Sequence, residues 1–317
     1  MTARRLLLLA GFVLFVGTGA YSLLLPGLQE RRLPSADEAE ACGRALAEAW
    51  GERDLVRVEP YWYREHATAL LGALEARTHA PFAWLDERTA LDLENGWRFD
   101  RLWLLHLPSV TGRGAADLVP APARVVQRTP CGPRLELVQV ELPRAAIRFD
   151  LLRDAPQGRV RRVFKGGKAE ACPWDGGRFR CGATEWKNVG VRWKDVGGSR
   201  RTCLYVEPAP DDSLVEITFS SAVLGARTVV WGGLSLWGAR KPSGGDVTFQ
   251  VRIDGKARVQ HVEPPKEYRW NRFELDTRDV AGRPVELVYA VGAKKSGWRQ
   301  FCVDTLSVDP AGDEAAP

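Results

Sequence analysis

The chain is short of the residues that most often carry out chemistry. It has four histidines (His66, His79, His106 and His261) in 317 residues, no G-x-S-x-G nucleophile turn, no D-x-D-x-D-G calcium loop and no C-x-x-C pair. A zinc site built on close Cys or His pairs is therefore not expected, nor a dithiol redox centre. His106 lies inside an apolar run and reads as a core residue. Asp175 and Glu185 flank Cys181 and are the nearest thing to a carboxylate pair, yet without a cleft their spacing names no reaction. No lysine precedes Lys165, and all nine fall after Phe164. From Leu33 to Ala155 the chain holds 15 Arg and 19 acids, whereas Pro156 to Pro317 holds 26 basic residues against 20 acids. The change of sign places a boundary near 155–165, where Ala155-Pro156-Gln157-Gly158 adds turn chemistry. A modest positive excess spread over so many residues lacks the dense basic face that nucleic acid demands, so no nucleic-acid partner is expected.

A second long apolar run is also missing, which leaves one. Leu6 to Leu25 carries no charge over 20 residues, enough to cross a hydrocarbon core of about 30 Å as a helix. Arg4 and Arg5 precede it and Arg31 and Arg32 follow, so flanking charge nearly ties. The six cysteines suit an oxidising space, which sets the expected location: a single-pass anchor in a bacterial inner membrane, with the bulk of the chain in the periplasm and membrane lipid around residues 1–32. The rival is a cleaved signal peptide with Thr18 and Ala20 before the cut.

The expected fold is α+β. Residues 33–165 read as a small α/β extracytoplasmic domain. Ser35-x-x-Glu38 is a capping box opening a helix in which Ala39, Cys42, Leu46, Ala49 and Trp50 recur at helical spacing. A strand over 54–59, a second helix over 64–77 and a buried strand over 101–107 follow. From Ala123 only strands appear (Arg134–Leu142, Ala146–Asp154, Arg159–Phe164), as an antiparallel meander that either closes the α/β layer or bridges to the sandwich. Its basic last strand, with Arg159, Arg161, Arg162, Lys165 and Lys168, reads as a solvated sheet edge; the alternative is contact with anionic lipid or acidic glycan. Residues 166–201 form a Cys/Trp-rich joint. In 202–317, alternating runs at 214–220, 247–254, 272–277 and 285–291, parted by Gly, Pro and Asp, predict an antiparallel β-sandwich before a short disordered tail.

The cysteines pair most simply as Cys172–Cys181 around the Trp174-Asp175-Gly176-Gly177 turn and as Cys203–Cys302 across the sandwich. By elimination Cys42 pairs with Cys131, although six cysteines allow 15 connectivities. Twelve tryptophans invite a search for an aromatic platform. Trp231 and Trp237 flank a Gly-rich stretch near Arg240 and Lys241, and these four are the candidate glycan-binding residues; Trp270 reads as core. No cofactor is expected, apart from a structural calcium at Asp246, Asp254 or Asp304.

Two resemblances add to this. The Cys203-Leu204-Tyr205-Val206-Glu207-Pro208 strand, Asp254-Gly255 before a hairpin, Trp270, Phe273, Asp276, Thr277, Ala281 and Gly282, and the closing Arg299-Gln300-Phe301-Cys302 resemble galactose-binding-like jelly rolls, which implies a recognition module. Asp54, Leu55, Val56, Pro60 and Trp62, with Asp100 to Leu105, resemble the soluble part of bacterial mannosyltransferase-type membrane glycosyltransferases, which implies a membrane glycosyltransferase partner. The resulting expectation is a non-catalytic, membrane-anchored glycan-binding or envelope-scaffold protein. The alternatives are an accessory subunit of a glycosyltransferase or glycan-export system, and a hydrolase of envelope polysaccharide.

Overall fold

The structure is a computed structural model that describes residues 33–51, 53–60, 84–85, 96–119, 121–182, 188–197, 199–208, 213–235, 237, 240, 244–297 and 299–309. The apolar run Leu6–Leu25, the helix expected over 64–77, Glu185, Lys241 and the tail lie outside these. Among the described residues no helix is long and apolar enough to cross a membrane. The chain forms two compact units, residues 1–81 with 102–141 and residues 82–101 with 142–317.

In the first unit, helix α1 (Ala36–Ala49) starts at the expected capping box: Ser35 Oγ accepts from Glu38 N at 3.2 Å, and Glu38 accepts from Ser35 N at 2.7 Å. The same carboxylate accepts from Arg134 N at 2.8 Å. Burial pulls its pKa up, but the backbone N–H donors of Ser35 and Arg134 outweigh it and hold the group below the usual carboxylate range. Cys42 on α1 is bonded to Cys131. Strands β1 (Asp54–Glu59), β3 (Arg101–His106), β5 (Glu136–Glu141) and β4 (Arg124–Pro130) lie side by side in that order, with β4 and β5 antiparallel; the two-residue β2 (Trp84–Leu85) precedes β3 in the chain. His106 is fully buried, with Nδ1 2.7 Å from Glu136 Oε1 and Nε2 2.9 Å from Thr111 Oγ1. Both ring nitrogens are satisfied, which is what a core histidine requires.

The second unit is the sandwich. One sheet runs in the order β16 (Asn271–Asp276), β13 (Arg227–Leu234), β18 (Phe301–Asp309), β11 (Ser199–Val206), β10 (Asn188–Val196) and β9 (Arg178–Arg180), with β6 (Ala146–Asp150) beside the far end of β18. The other runs β15 (Lys256–Glu263), β14 (Val247–Ile253), β17 (Pro284–Ala293), β12 (Leu214–Val223), β7 (Arg159–Val163) and β8 (Ala169–Cys172). Alternation decides which side chains meet: Val247, Phe249, Val251 and Ile253 of β14 face Leu204, Val206, Val230 and Phe301 across the core. Asp254 (φ 47°) and Gly255 (φ 75°) make the left-handed turn between β14 and β15 that Asp-Gly foretells.

Several expectations change here. Of the strands read as closing the α/β layer or bridging to the sandwich, β6 and β7 are hydrogen-bonded into the two sandwich sheets, while β4 and β5 stay with the first unit. The division between the units accordingly falls at Glu141/Leu142, ahead of the shift in charge. Residues 166–201, read as a Cys/Trp-rich joint, contribute β8, β9 and β10 to the sandwich sheets. The basic strand β7 is not an edge: β12 flanks it on one side and β8 on the other. Cys172–Cys181 and Cys203–Cys302 are both formed, and among the described residues no cysteine is free.

Candidate functional site

Of the four residues expected to meet a ligand, Trp231 must be set aside. It is 1% exposed, on the outer face of β13, where Trp97 and Trp270 pack around it and the Arg201 guanidinium stands 5.7 Å from its ring. A ring so enclosed has no face for a sugar. The glycines beside it, which suggested a loop, are strand residues in close quarters: a Cβ on Gly232 would sit 3.1 Å from the Phe301 ring, and one on Gly233 would sit 2.4 Å from Arg269 O. Trp237, in contrast, is 72% exposed, and Arg240 is exposed three residues on.

Trp237 stands at one end of the sandwich, where several connections are bound together. Ser235 donates through its N–H to Gln300 O at 2.8 Å and through Oγ to Gln300 Oε1 at 3.0 Å, and Lys194 Nζ donates to the same Oε1 at 3.3 Å. Gly245 N donates to Lys295 O at 2.8 Å. The central brace is Arg299, fully buried, which donates to Gly244 O at 2.5 Å and to Pro265 O at 3.1 Å. Burial holds its pKa below the ordinary arginine value. No side chain fits at Gly244, because a Cβ would lie 1.9 Å from Arg299 Nε. The turn between β10 and β11 closes against the same end: Gly197 has φ +67°, and a Cβ there would lie 2.5 Å from Tyr268 O. On this framework Tyr268 (45% exposed) and Trp193 (65%) join Trp237 as large exposed aromatics. Neither was singled out from the sequence, since Trp193 sits in an ordinary strand and Tyr268 in a loop without pattern.

Next to Lys194, Tyr205 donates its hydroxyl to Glu207 at 2.6 Å, with Lys194 Nζ 4.7 Å and the Arg192 guanidinium 5.3 Å from its ring. Burial pushes the Glu207 carboxyl up to about 7, against the pull of Tyr205 and Lys194. Burial, and then Arg192, holds Lys194 below its ordinary value. An acid whose folded pKa is raised binds more protons folded than unfolded, so its contribution to stability is lost as pH climbs from about 4.5 to about 7. Glu207→Gln is therefore expected to match the parent at pH 5 and to exceed it at pH 8, by on the order of 2 kcal/mol. Denaturant unfolding at the two pH values measures this, and an equal difference at both would remove the assignment.

Of the residues considered for metal or catalysis, Asp254, Asp304 and Asp175 are engaged elsewhere, and Asp246 is exposed. Asp254 Oδ1 accepts from Glu286 N at 2.9 Å, and Oδ2 pairs with Arg283 at 2.9 Å. Asp304 is 1% exposed and pairs with Arg98, and Asp175 pairs with Arg180. Among the described residues no group of three or more His, Cys, Asp or Glu is placed to hold a metal ion.

No family model matches the chain, and no curated protein does. The mannosyltransferase likeness thus gains no support. Solved structures with some similarity include the CBM51-2 and INT domains of Clostridium perfringens ZmpB (17% identity, 37% of this chain and 25% of that one, TM-score 0.28). Others are CBM51 of a Clostridium perfringens GH95 protein in complex with methyl-galactose (11%, 37% and 79%, 0.27) and the xylan-binding module CBM15 (8%, 48% and 93%, 0.26). The chain spans a quarter of the length of the first of these. Superpositions at this level carry no argument about ligand.

Proposed function

We propose that this protein recognises glycan through the loop end of its sandwich, as a non-catalytic module held outside the cytoplasm by the Leu6–Leu25 segment. One observation carries the reading: Arg299 ties together the two connections that bear Trp237 and Tyr268. Exposed aromatic rings are costly in water unless a partner covers them, and rings on a rigid mount lose little entropy when it does. Flat rings suit the C–H faces of a sugar, while Arg240 on the Trp237 connection, Lys194 on β10 and Gln300 just before β18 offer partners for hydroxyls. The three disulfides support an oxidising compartment for the body of the chain.

The test is binding of the full chain to an array of cell-envelope and plant glycans, followed by calorimetry on the best ligand. Trp237→Ala and Tyr268→Ala are each expected to weaken it about tenfold or more, a loss of about 1.4 kcal/mol, with unchanged melting because both side chains are exposed. Retention of full affinity by both variants would overturn the reading, as would an array with no bound glycan.

A further inference from the structure

The outer face of the six-stranded sheet carries a second feature, remote in sequence from Trp237. Strand register places Gln250, Ala290, Glu216, Arg161 and Ala171 in one cross-strand row, and Arg252, Val288, Thr218 and Arg159 in the next. Ala171, Ala290 and Val288 are too short to fill the space above the sheet, so the longer neighbours stand around a depression of about 310 Å³ lined by Arg159, Arg161, Arg252, Glu216, Thr218 and Val288, with Glu286 beside them. This is the small end of the range for ligand sites, roughly 300–1,000 Å³.

The charges in it are organised around Glu216, which is 5% exposed. Arg252 donates to its Oε1 at 2.6 Å; Arg161 donates to Oε2 from Nε at 2.9 Å and stands 2.8 Å from it through Nη2. A guanidinium has five N–H groups, and these contacts use one nitrogen of Arg252 and two of Arg161. The buried carboxylate therefore fixes two guanidinium planes beside the depression and leaves donors to spare. Arg159, anchored to Ser220 Oγ at 2.5 Å, adds a third. Against Glu216 and Glu286, three arginines leave one positive charge in excess.

We infer that this depression binds the carboxylate of a uronate, a sugar ring of an acidic glycan. Guanidinium groups held edge-on take a carboxylate in two parallel hydrogen bonds. Thr218 and Glu286 offer partners for ring hydroxyls, and Val288 and Ala171 offer an apolar floor for the ring's C–H face. The proposed site shares no residue with the loop end, so either can fail alone.

The experiment is calorimetry of the full chain with a trigalacturonate, with neutral trigalactose and inorganic phosphate as comparisons, at low and at physiological salt. Trigalacturonate is expected to bind at least tenfold more tightly than either, and more weakly as salt rises. Arg159→Ala, at an exposed position that leaves the fold intact, and Arg252→Ala are each expected to cut that affinity at least fivefold, while Trp237→Ala leaves it unchanged. Glu216→Gln discriminates most sharply. It releases two guanidinium groups from their internal partner and is expected to tighten trigalacturonate binding severalfold, at some cost in melting temperature. If Glu216→Gln weakens binding, or Arg159→Ala has no effect, the uronate site is wrong. If phosphate binds as tightly as trigalacturonate, the depression is a general anion site and the sugar assignment falls.

Discussion

Replacing Arg98 with methionine is expected to destabilise the sandwich unit by about 3–5 kcal/mol. Arg98 is 14% exposed and sits between two carboxylates: Nε and Nη2 donate to Asp150 at 2.9 and 2.8 Å, and Nη1 and Nη2 donate to Asp304 at 2.7 and 2.6 Å. Burial alone would lower its pKa, but Asp304 and then Asp150 outweigh burial and raise it well above the ordinary arginine value. Without the guanidinium, two acids remain beside each other on β6 and β18, Asp304 at 1% exposure, with no cation between them. The cost arises from those orphaned charges more than from the lost pair. Adding Asp150→Asn and Asp304→Asn to Arg98→Met is thus expected to restore much of the loss, because the amides keep the local backbone contacts without charge. Thermal unfolding reads both effects, with the single variant melting roughly 10 °C lower. A fall of only one or two degrees would mean that the three groups are solvated in water and hold nothing together.

The second large effect concerns Cys203–Cys302. These residues are 99 apart in sequence and fully buried, on neighbouring strands β11 and β18, in a small cluster with Val196 and Trp270. Cross-linking so long a segment removes much of the freedom of the unfolded chain, so a Cys203→Ala, Cys302→Ala double variant is expected to lose about 4 kcal/mol. The corresponding change at Cys172–Cys181, separated by nine residues, is expected to cost about 2–3 kcal/mol. Urea titration of the two variants gives the order. If the short loop proves the more costly to open, chain entropy is not what the long bridge contributes.

How far the sequence announced this arrangement depends on whether a feature is local. Ser35 and Glu38 satisfy each other's backbone N–H groups within one turn, Asp254-Gly255 bends where a left-handed pair is needed, and strands such as β14 show their buried face by alternation. Those features were legible because the cause lies within a few residues, and alternation is clean in β14, whereas β13 and β18 are buried almost throughout and show no such period. Trp231 was misplaced because its surroundings come from Trp97, Arg201 and Trp270, distant residues that no periodicity connects to it. Strand β7 looked like an edge because its charges were visible and its neighbours β8 and β12 were not. The compact units divide at Glu141/Leu142 and not at the change of surface charge near Phe164, which says nothing about β6 and β7 finding hydrogen-bond partners in the sandwich. Arg98 gave no signal at all, since it precedes its acids by 52 and 206 positions.

The place of β18 bears on how the molecule comes into being. Among the described residues it is the last strand, yet β13 lies along one side of it and β11 and β6 along the other. During synthesis every other strand of that sheet leaves the ribosome before the segment that joins them exists. Until β18 is in place the sheet has a gap at its centre, with β13 and β16 on one side and β11, β10 and β9 on the other, so the strand is the keystone and not the fringe.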